Sequence, residues 1–350
     1  MTIHAPEASG WHALRGPGLS LICLSILAAL LSGCAGIAAR EIGEAPGPDS
    51  GMFNLGYQAT SQLGGESVEW TAGDGSEHWA VRFRAGGLDA DYDLSTDGDN
   101  GRFRINFRVN TNPQAETHRG TVILLHSWRQ SHEVMVPWAS QLSAAGFETL
   151  IPDLRGHGQS GGSQVGFGVL EAGDVERLID HLETGEAISK PLYLMGASLG
   201  ASTALRAADD PRVSAVVAIA PFNDPGGAVV EVAREIAPWR SRLVGQRNLL
   251  RGFERAMIDA GLSLELADTA EAIRGLNTPA LLIHGEDDQH VSVSHSRELA
   301  EVLDCGQLLI LPDTGGHIAS HVRLDWLDDW VLPFLEWSEQ SGPDCRVPKG

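Results

Sequence analysis

The chain has 350 residues, 43% of them hydrophobic, which suffices for one large core with appendages rather than several small domains. A formal net charge of −21 makes it a polyanion that repels nucleic acid, and this excludes nucleic-acid binding as a main role. Its four cysteines are too few for a disulfide scaffold and are not spaced as metal-ligand pairs.

The first informative element is Leu19 to Leu31, LSLICLSILAALL, an uncharged run of 13 residues. A membrane-spanning helix needs about 20 apolar residues, so the run is short for a span and fits the apolar core of an export signal. It ends in Leu31-Ser32-Gly33-Cys34, which resembles the lipobox of bacterial lipoproteins. That resemblance implies residues 1–33 as a signal peptide cut before Cys34, acylation of Cys34, and a protein held on the cell envelope by a lipid anchor. Ala35 and Gly36 lack the aspartate that commonly retains such lipoproteins in the inner membrane, so the outer membrane is the preferred destination.

Residues 34–50 contain two prolines after the cysteine and little apolar patterning, and are expected to form a flexible tether. Residues 51–118 read as a β-rich extension. Ser67 to Trp70, His78 to Arg84 and Phe103 to Val109 alternate apolar and polar residues, with turns at Gly73-Asp74-Gly75 and Asp97 to Gly101. From Thr121 strands and helices alternate. Strands are expected at Thr121–His126, Phe147–Pro152, Pro191–Ala197, Val213–Ala220, Ala280–His284 and Gln307–Leu311. Helices are expected at Val134–Ala145, 169–183, Leu199–Ala208, near Ser294–Leu303 and at Ile318–Trp337. Residues 222–275 break the rhythm as two or three inserted helices, and 341–350 form a tail. The alternation predicts an α/β domain over 119–340, a mainly parallel sheet covered by helices on both faces, with ligands at the carboxyl ends of the strands.

Gly196-Ala197-Ser198-Leu199-Gly200 fits G-x-S-x-G between a strand and a helix. A sharp turn there lifts the serine hydroxyl clear of the sheet. With this motif, residues 121–337 resemble an α/β hydrolase, and especially the capped esterases, lipases and aminopeptidase-like members. The resemblance implies a triad in the order Ser, Asp, His. The segment His284-Gly285-Glu286-Asp287-Asp288-Gln289-His290-Val291 resembles the strand-end acid motif and points to Asp288, with Asp287 as the alternative. Gly315-Gly316-His317 resembles the histidine loop and points to His317 as the base. An imidazole with a pKa near 6.5 can take the serine proton and return it to a leaving group, and a carboxylate behind it fixes the tautomer.

The first oxyanion donor is expected at the Leu199 amide. The resemblance puts the second at Trp128, in His126-Ser127-Trp128, where the family usually has His-Gly; Trp128 could equally be only a wall of the acyl pocket. Asp153-Leu154-Arg155-Gly156-His157-Gly158-Gln159-Ser160 resembles a structural loop of the family, with Asp153 and Arg155 holding a tight turn. His317 and His321 have the spacing of an H-x-x-x-H metal pair, but no third ligand supports it, and neither metal nor cofactor is expected.

These features imply a serine hydrolase that cleaves an ester, or a thioester or amide, of a small-molecule or lipid acyl substrate, and acts as a monomer. A peptidase or acyltransferase would use the same triad, and a surface lipoprotein could keep the fold only as a binding scaffold. Arg234, Arg240, Arg242, Arg247, Arg251 and Arg255 cluster in the cap, either to bind an acidic substrate or anionic lipid or as solvated faces. Cys23 leaves with the signal and Cys34 is acylated, so a disulfide between Cys305 and Cys345 is expected in the exported chain. Cys305 precedes the last strand at the sheet end away from the site, and the final helix runs back toward that end.

Overall fold

A computed structural model describes residues 35–44, 60–97, 102–111, 118–185 and 188–341. Ten strands are present among them: β1 (Glu66–Thr71), β2 (Glu77–Phe83), β3 (Leu88–Asp97), β4 (Arg102–Thr111), β5 (Thr121–Leu125), β6 (Glu148–Pro152), β7 (Leu192–Ala197), β8 (Val213–Ile219), β9 (Ala280–Gly285) and β10 (Gly306–Leu311). Eight form one sheet in the order β1-β2-β6-β5-β7-β8-β9-β10. From β6 to β10 every pairing is parallel, while β1 and β2 are antiparallel.

Strands β5, β7 and β9 are buried along their whole length, as continuous apolar runs in a parallel sheet should be. Alternate residues serve opposite faces. Ile123 and Leu125 point to the layer holding Val175, Leu178 and Leu182, while Val122 and Leu124 point to the layer holding Trp138, Leu142 and Phe334. The first layer is built by α3 (Val169–Thr184), α4 (Leu199–Ala207) and α8 (Val293–Val302), and the second by α2 (Val136–Ala144) and α9 (Leu332–Ser341). Edge strand β10 is only half-buried.

Between β8 and β9 the chain makes the cap: α5 (Pro225–Ile236), α6 (Pro238–Val244) and α7 (Gln246–Asp259). Asp224 caps α5 by accepting from the Gly226 amide at 2.9 Å. Pro225 and Pro238 each stand in a first helical turn, where the missing N–H costs nothing.

The structure corrects the sequence reading in three places. Residues 35–43 form a helix, α1, and not a tether. Ala38, Ala39 and Ile42 make its buried stripe. It lies so close to α7 that a Cβ at Gly252 would stand 2.8 Å from the Ala38 Cβ, and one at Gly43 2.7 Å from the Ala256 Cβ. Small residues on both helices allow that approach. Second, β1 and β2 do not stand apart as an extension. They continue the main sheet, with β2 covering the edge of β6 through Ala80↔Pro152 to Phe83↔Thr149. Only β3 and β4 pair separately, over ten residues. Third, Ile318–Trp337 is not one helix. One turn at His317–Ser320 is followed by a break, because the Trp138 indole takes the His321 carbonyl at 2.7 Å. Helical structure resumes at Leu327.

Cys305 is buried and disulfide-bonded. The other three cysteines, with Cys34 and Cys345 among them, lie outside the described residues, as do the signal segment 1–33, residues 45–50 and the tail. Among the described residues no helix is long and apolar enough to cross a membrane.

Candidate active site

Ser198 sits between β7 and α4 with φ 51° and ψ −111°, a left-handed conformation that an L-residue adopts only under constraint. Its flanking glycines are steric necessities. A Cβ at Gly196 would lie 2.2 Å from the Gly200 carbonyl oxygen, and one at Gly200 would lie 2.1 Å from the Leu125 oxygen. The turn is held from the neighbouring strand, where the Ile219 carbonyl accepts from the Ser198 amide at 2.9 Å.

The Ser198 hydroxyl is 3.0 Å from His317 Nε2, and His317 Nδ1 is 2.6 Å from Asp288 Oδ2. The other Asp288 oxygen accepts from the His290 and Val291 amides, both at 2.9 Å. Burial works to raise the Asp288 carboxyl, but hydrogen bonding to His284, His317 and Val291 outweighs it and holds the group well below the usual carboxylate range. Serine, histidine and aspartate follow β7, β10 and β9, whose parallel pairing brings their carboxyl ends to one edge.

Asp287 has a different place. It accepts from the Thr314 hydroxyl and from the amides of Thr314, Gly315 and Gly316, so it holds the loop that delivers His317. His284, which drew no attention in the sequence, lies beneath Asp288. Its Nε2–H donates to the Val291 carbonyl at 2.9 Å and sits 3.4 Å from Asp288 Oδ2, while Nδ1 accepts from Ser296 at 2.7 Å. Only its place at the end of a strand preceding the acid could have marked it.

The Leu199 and Trp128 amides donate to no acceptor among the described residues. The turn carrying Trp128 is fixed from below. His126 donates from Nδ1 to the Ser127 carbonyl at 2.8 Å and accepts from the Leu154 amide at 2.9 Å. His157 donates to the Arg155 carbonyl at 2.9 Å and accepts from the Arg129 amide at 3.1 Å. Asp153 accepts from both the amide and the ring of His132 and from the Gln159 amide, and Arg155 pairs with Asp174 through two bonds of 2.8 Å. The indole of Trp128 packs against the core at the same time.

Ser127, where a glycine was expected, bridges two loops. Its hydroxyl donates to the Ala197 carbonyl at 3.2 Å and accepts from His321 Nδ1 at 3.0 Å. The His321 ring stands edge-on to His317 with centroids 4.5 Å apart. Burial, and then the positive charge His317 can carry, push His321 well below the ordinary imidazole range. His321 is thereby a neutral strut between the histidine loop and the serine turn.

Burial likewise lowers His157, and burial together with His157 lowers His126 to about 3. Below about pH 6.5 the unfolded chain binds protons that these imidazoles refuse in the fold, so they cost stability as pH falls and have no effect above it. Buried Glu171 and Asp174, whose carboxyls burial raises, act in the opposite sense, so the effect is read in a variant. Between about pH 7 and pH 5, unfolding by urea should show wild type losing about 2 kcal/mol more than His126→Asn. An equal loss in both would mean that His126 charges freely in the fold.

The overall fold agrees with that of known proteins. Residues 116–260 match the Hydrolase_4 family, described as serine aminopeptidase, S33. The structure superposes on the Pyrococcus furiosus esterase Pf2001 with a TM-score of 0.54 at 20% identity, covering 84% of this chain and 96% of that one. The chain has the α/β-hydrolase fold. The fold is also that of a membrane phospholipase A, described as a novel bacterial virulence factor, at a TM-score of 0.53 and 15% identity over 91% of this chain and 98% of that one. Among curated relatives, AB hydrolase superfamily protein YisY of Bacillus subtilis is 24% identical over 252 residues, 62% of this chain and 92% of its own. Human Protein ABHD12B is 30% identical over 167 residues, but the match spans only 43% of its length. The family match supports hydrolase activity.

Proposed function

We propose that this α/β hydrolase cleaves carboxylic esters through an acyl-enzyme on Ser198. The observation that carries the reading is the continuous hydrogen-bonded path Ser198–His317–Asp288 at 3.0 and 2.6 Å. Ser198 Oγ attacks the acyl carbon as its proton passes to His317 Nε2. The carbonyl oxygen becomes an oxyanion, held by the Leu199 and Trp128 amides. Collapse expels the alcohol, which takes the proton from His317. Water then attacks the acyl-enzyme with His317 again as base, releases the acid and restores the Ser198 hydroxyl. Asp288 keeps Nδ1 protonated, so that Nε2 faces the serine, and stabilises the imidazolium.

We also read the protein as an exported lipoprotein anchored through Cys34, with the outer membrane as its preferred destination. The apolar run Leu19–Leu31 directly before Cys34 supports export. A disulfide at Cys305 supports it independently, since disulfides persist in oxidising compartments. Cys345 is the partner we assign to Cys305.

The family description favours one second reading, a peptidase with the same triad. Assay of p-nitrophenyl esters of graded acyl length beside amino-acyl p-nitroanilides separates the two, after active-site titration with a fluorophosphonate. Ester turnover at least about a hundredfold above anilide turnover is expected. Anilide turnover in excess would establish the peptidase, and a chain that neither reacts with the fluorophosphonate nor turns over either substrate would be a scaffold.

A further inference from the structure

Among the described residues, the cap stands out in its charge and in its exposed apolar surface. Residues 236–253 contain four arginines and no carboxylate, in a chain whose net charge is −21. Arg240, Arg242, Arg247 and Arg251 are all exposed. Among the described residues, none of the four forms an ion pair with a carboxylate. The same stretch exposes large hydrophobic side chains: Ile236 is 67% exposed, Trp239 63% and Leu243 74%. Of the eight large hydrophobics that stand exposed among the described residues, only Trp330 lies outside the cap and α1. Trp239 and Leu243 are four residues apart and share one face of α6, with Arg240 and Arg242 beside them and Ser241 buried behind. An apolar ridge flanked by cations has the chemistry of a surface that enters the headgroup region of an anionic bilayer.

The placement of α1 agrees. Helix α1 packs on α7, and Ala35 and Gly36 line a cleft there with Arg255 and Asp259. Ala35, the first described residue, therefore lies beside the cap. Helix α7, which α6 feeds directly, has 14 residues and is roughly 21 Å long at about 1.5 Å per residue. A lipid on Cys34 would hold the ridge on α6 within reach of the bilayer.

We propose that α6 and the arginines around it form a docking face for an anionic phospholipid bilayer, so that the cap of this enzyme, and through it the site, lies against the membrane. The proposal rests on the reading of Cys34 as the anchor, and it assigns the cap arginines to lipid. The orientation presents the site to acyl substrates that reside in or leave the bilayer.

The test uses the full acylated protein reconstituted on vesicles whose acyl chains are brominated. One set is rich in phosphatidylglycerol and the other is phosphatidylcholine alone. Bromine quenches tryptophan emission at short range, and wild type is compared with Trp239→Phe and with the double variant Arg240→Glu, Arg242→Glu. On phosphatidylglycerol, wild type is expected to be quenched, and most of that quenching should vanish in Trp239→Phe. The double variant should lose at least half of it while staying on the vesicles. On phosphatidylcholine the quenching should be several-fold weaker. Protein that stays on both vesicles, with quenching indifferent to Trp239 and to lipid charge, overturns the docking face and leaves the anchor standing. If mass spectrometry instead finds Cys34 unmodified, the anchor fails by itself. The docking face must then still bring the protein to phosphatidylglycerol and not to phosphatidylcholine at low salt, and failure to bind either overturns it too.

Discussion

Replacing Ser198 with alanine is expected to lower kcat for ester hydrolysis by roughly a million-fold and to leave the fold intact, because triad members act as a unit and most of their effect disappears with the nucleophile. Alanine fits the turn without new contacts, and the Ser198 amide keeps its bond to the Ile219 carbonyl at 2.9 Å. Fluorophosphonate labelling should vanish with turnover. Ser198→Gly should be equally inactive yet more stable than the alanine variant, by about 1 kcal/mol, because glycine accepts φ 51° without the strain a Cβ brings there. The two variants thus separate chemistry from strain. Thermal unfolding of both, beside their residual kcat, is the measurement. Residual turnover within tenfold of wild type in Ser198→Ala would remove this serine from the reaction.

Much of this site was legible because parallel α/β sheets write it into short, well-punctuated segments. The runs at 121–125, 192–197 and 280–285 are buried throughout and almost wholly apolar, with Thr121 and His284 as the polar exceptions, and each ends at a residue of the site region. Gly196 and Gly200 were legible for the same reason, since no other residue clears the backbone they face. What escaped had small or polar residues acting against their usual reading. The segment after Cys34 has two prolines and little apolar patterning, which signals a linker when no partner is in view. Only the matching Gly252 and Ala256 on α7, more than 200 residues away, make it a packed helix. Strand β3, LDADYDLSTD, alternates, but its aspartates disfavour a strand until β4 pairs with it.

Ser127 and His321 show the same limit at the site itself. A serine where glycine was expected read as a departure, and His321 stood out only by an H-x-x-x-H spacing that no third ligand supports. Their meaning is a hydrogen bond between residues 194 positions apart, which no local pattern encodes. Single-residue spacing around Asp287 and Asp288 was equally undecidable from composition. The two carboxylates are neighbours on one turn, and only the opposite directions of their side chains assign one to the histidine ring and the other to the loop beneath it.

Those directions lead to the second large effect. Asp288→Asn is expected to cost about ten-thousandfold in kcat, and the surrounding amides say why. The His290 and Val291 N–H groups both point at Asp288 Oδ1 at 2.9 Å, so an asparagine must turn its carbonyl oxygen to them and its NH2 to His317. An NH2 there forces Nδ1 to accept, which moves the ring proton to Nε2, where it faces Ser198 and cannot take the hydroxyl proton. Asp287→Asn acts otherwise. Its two oxygens accept from Thr314 on one side and from the Gly315 and Gly316 amides on the other, at 2.9 and 3.1 Å for the last two. An asparagine keeps one side and opposes the other, so the loop loosens while His317 keeps its tautomer. A loss of only about ten- to a hundredfold in kcat is expected, about one hundred times or more smaller than for Asp288→Asn. Steady-state kcat for both variants, on the ester that wild type turns over fastest, is the deciding measurement. Were Asp287→Asn the more damaging change, the carboxylate behind His317 in the reacting enzyme would be Asp287, and the loop would have to shift to bring it there.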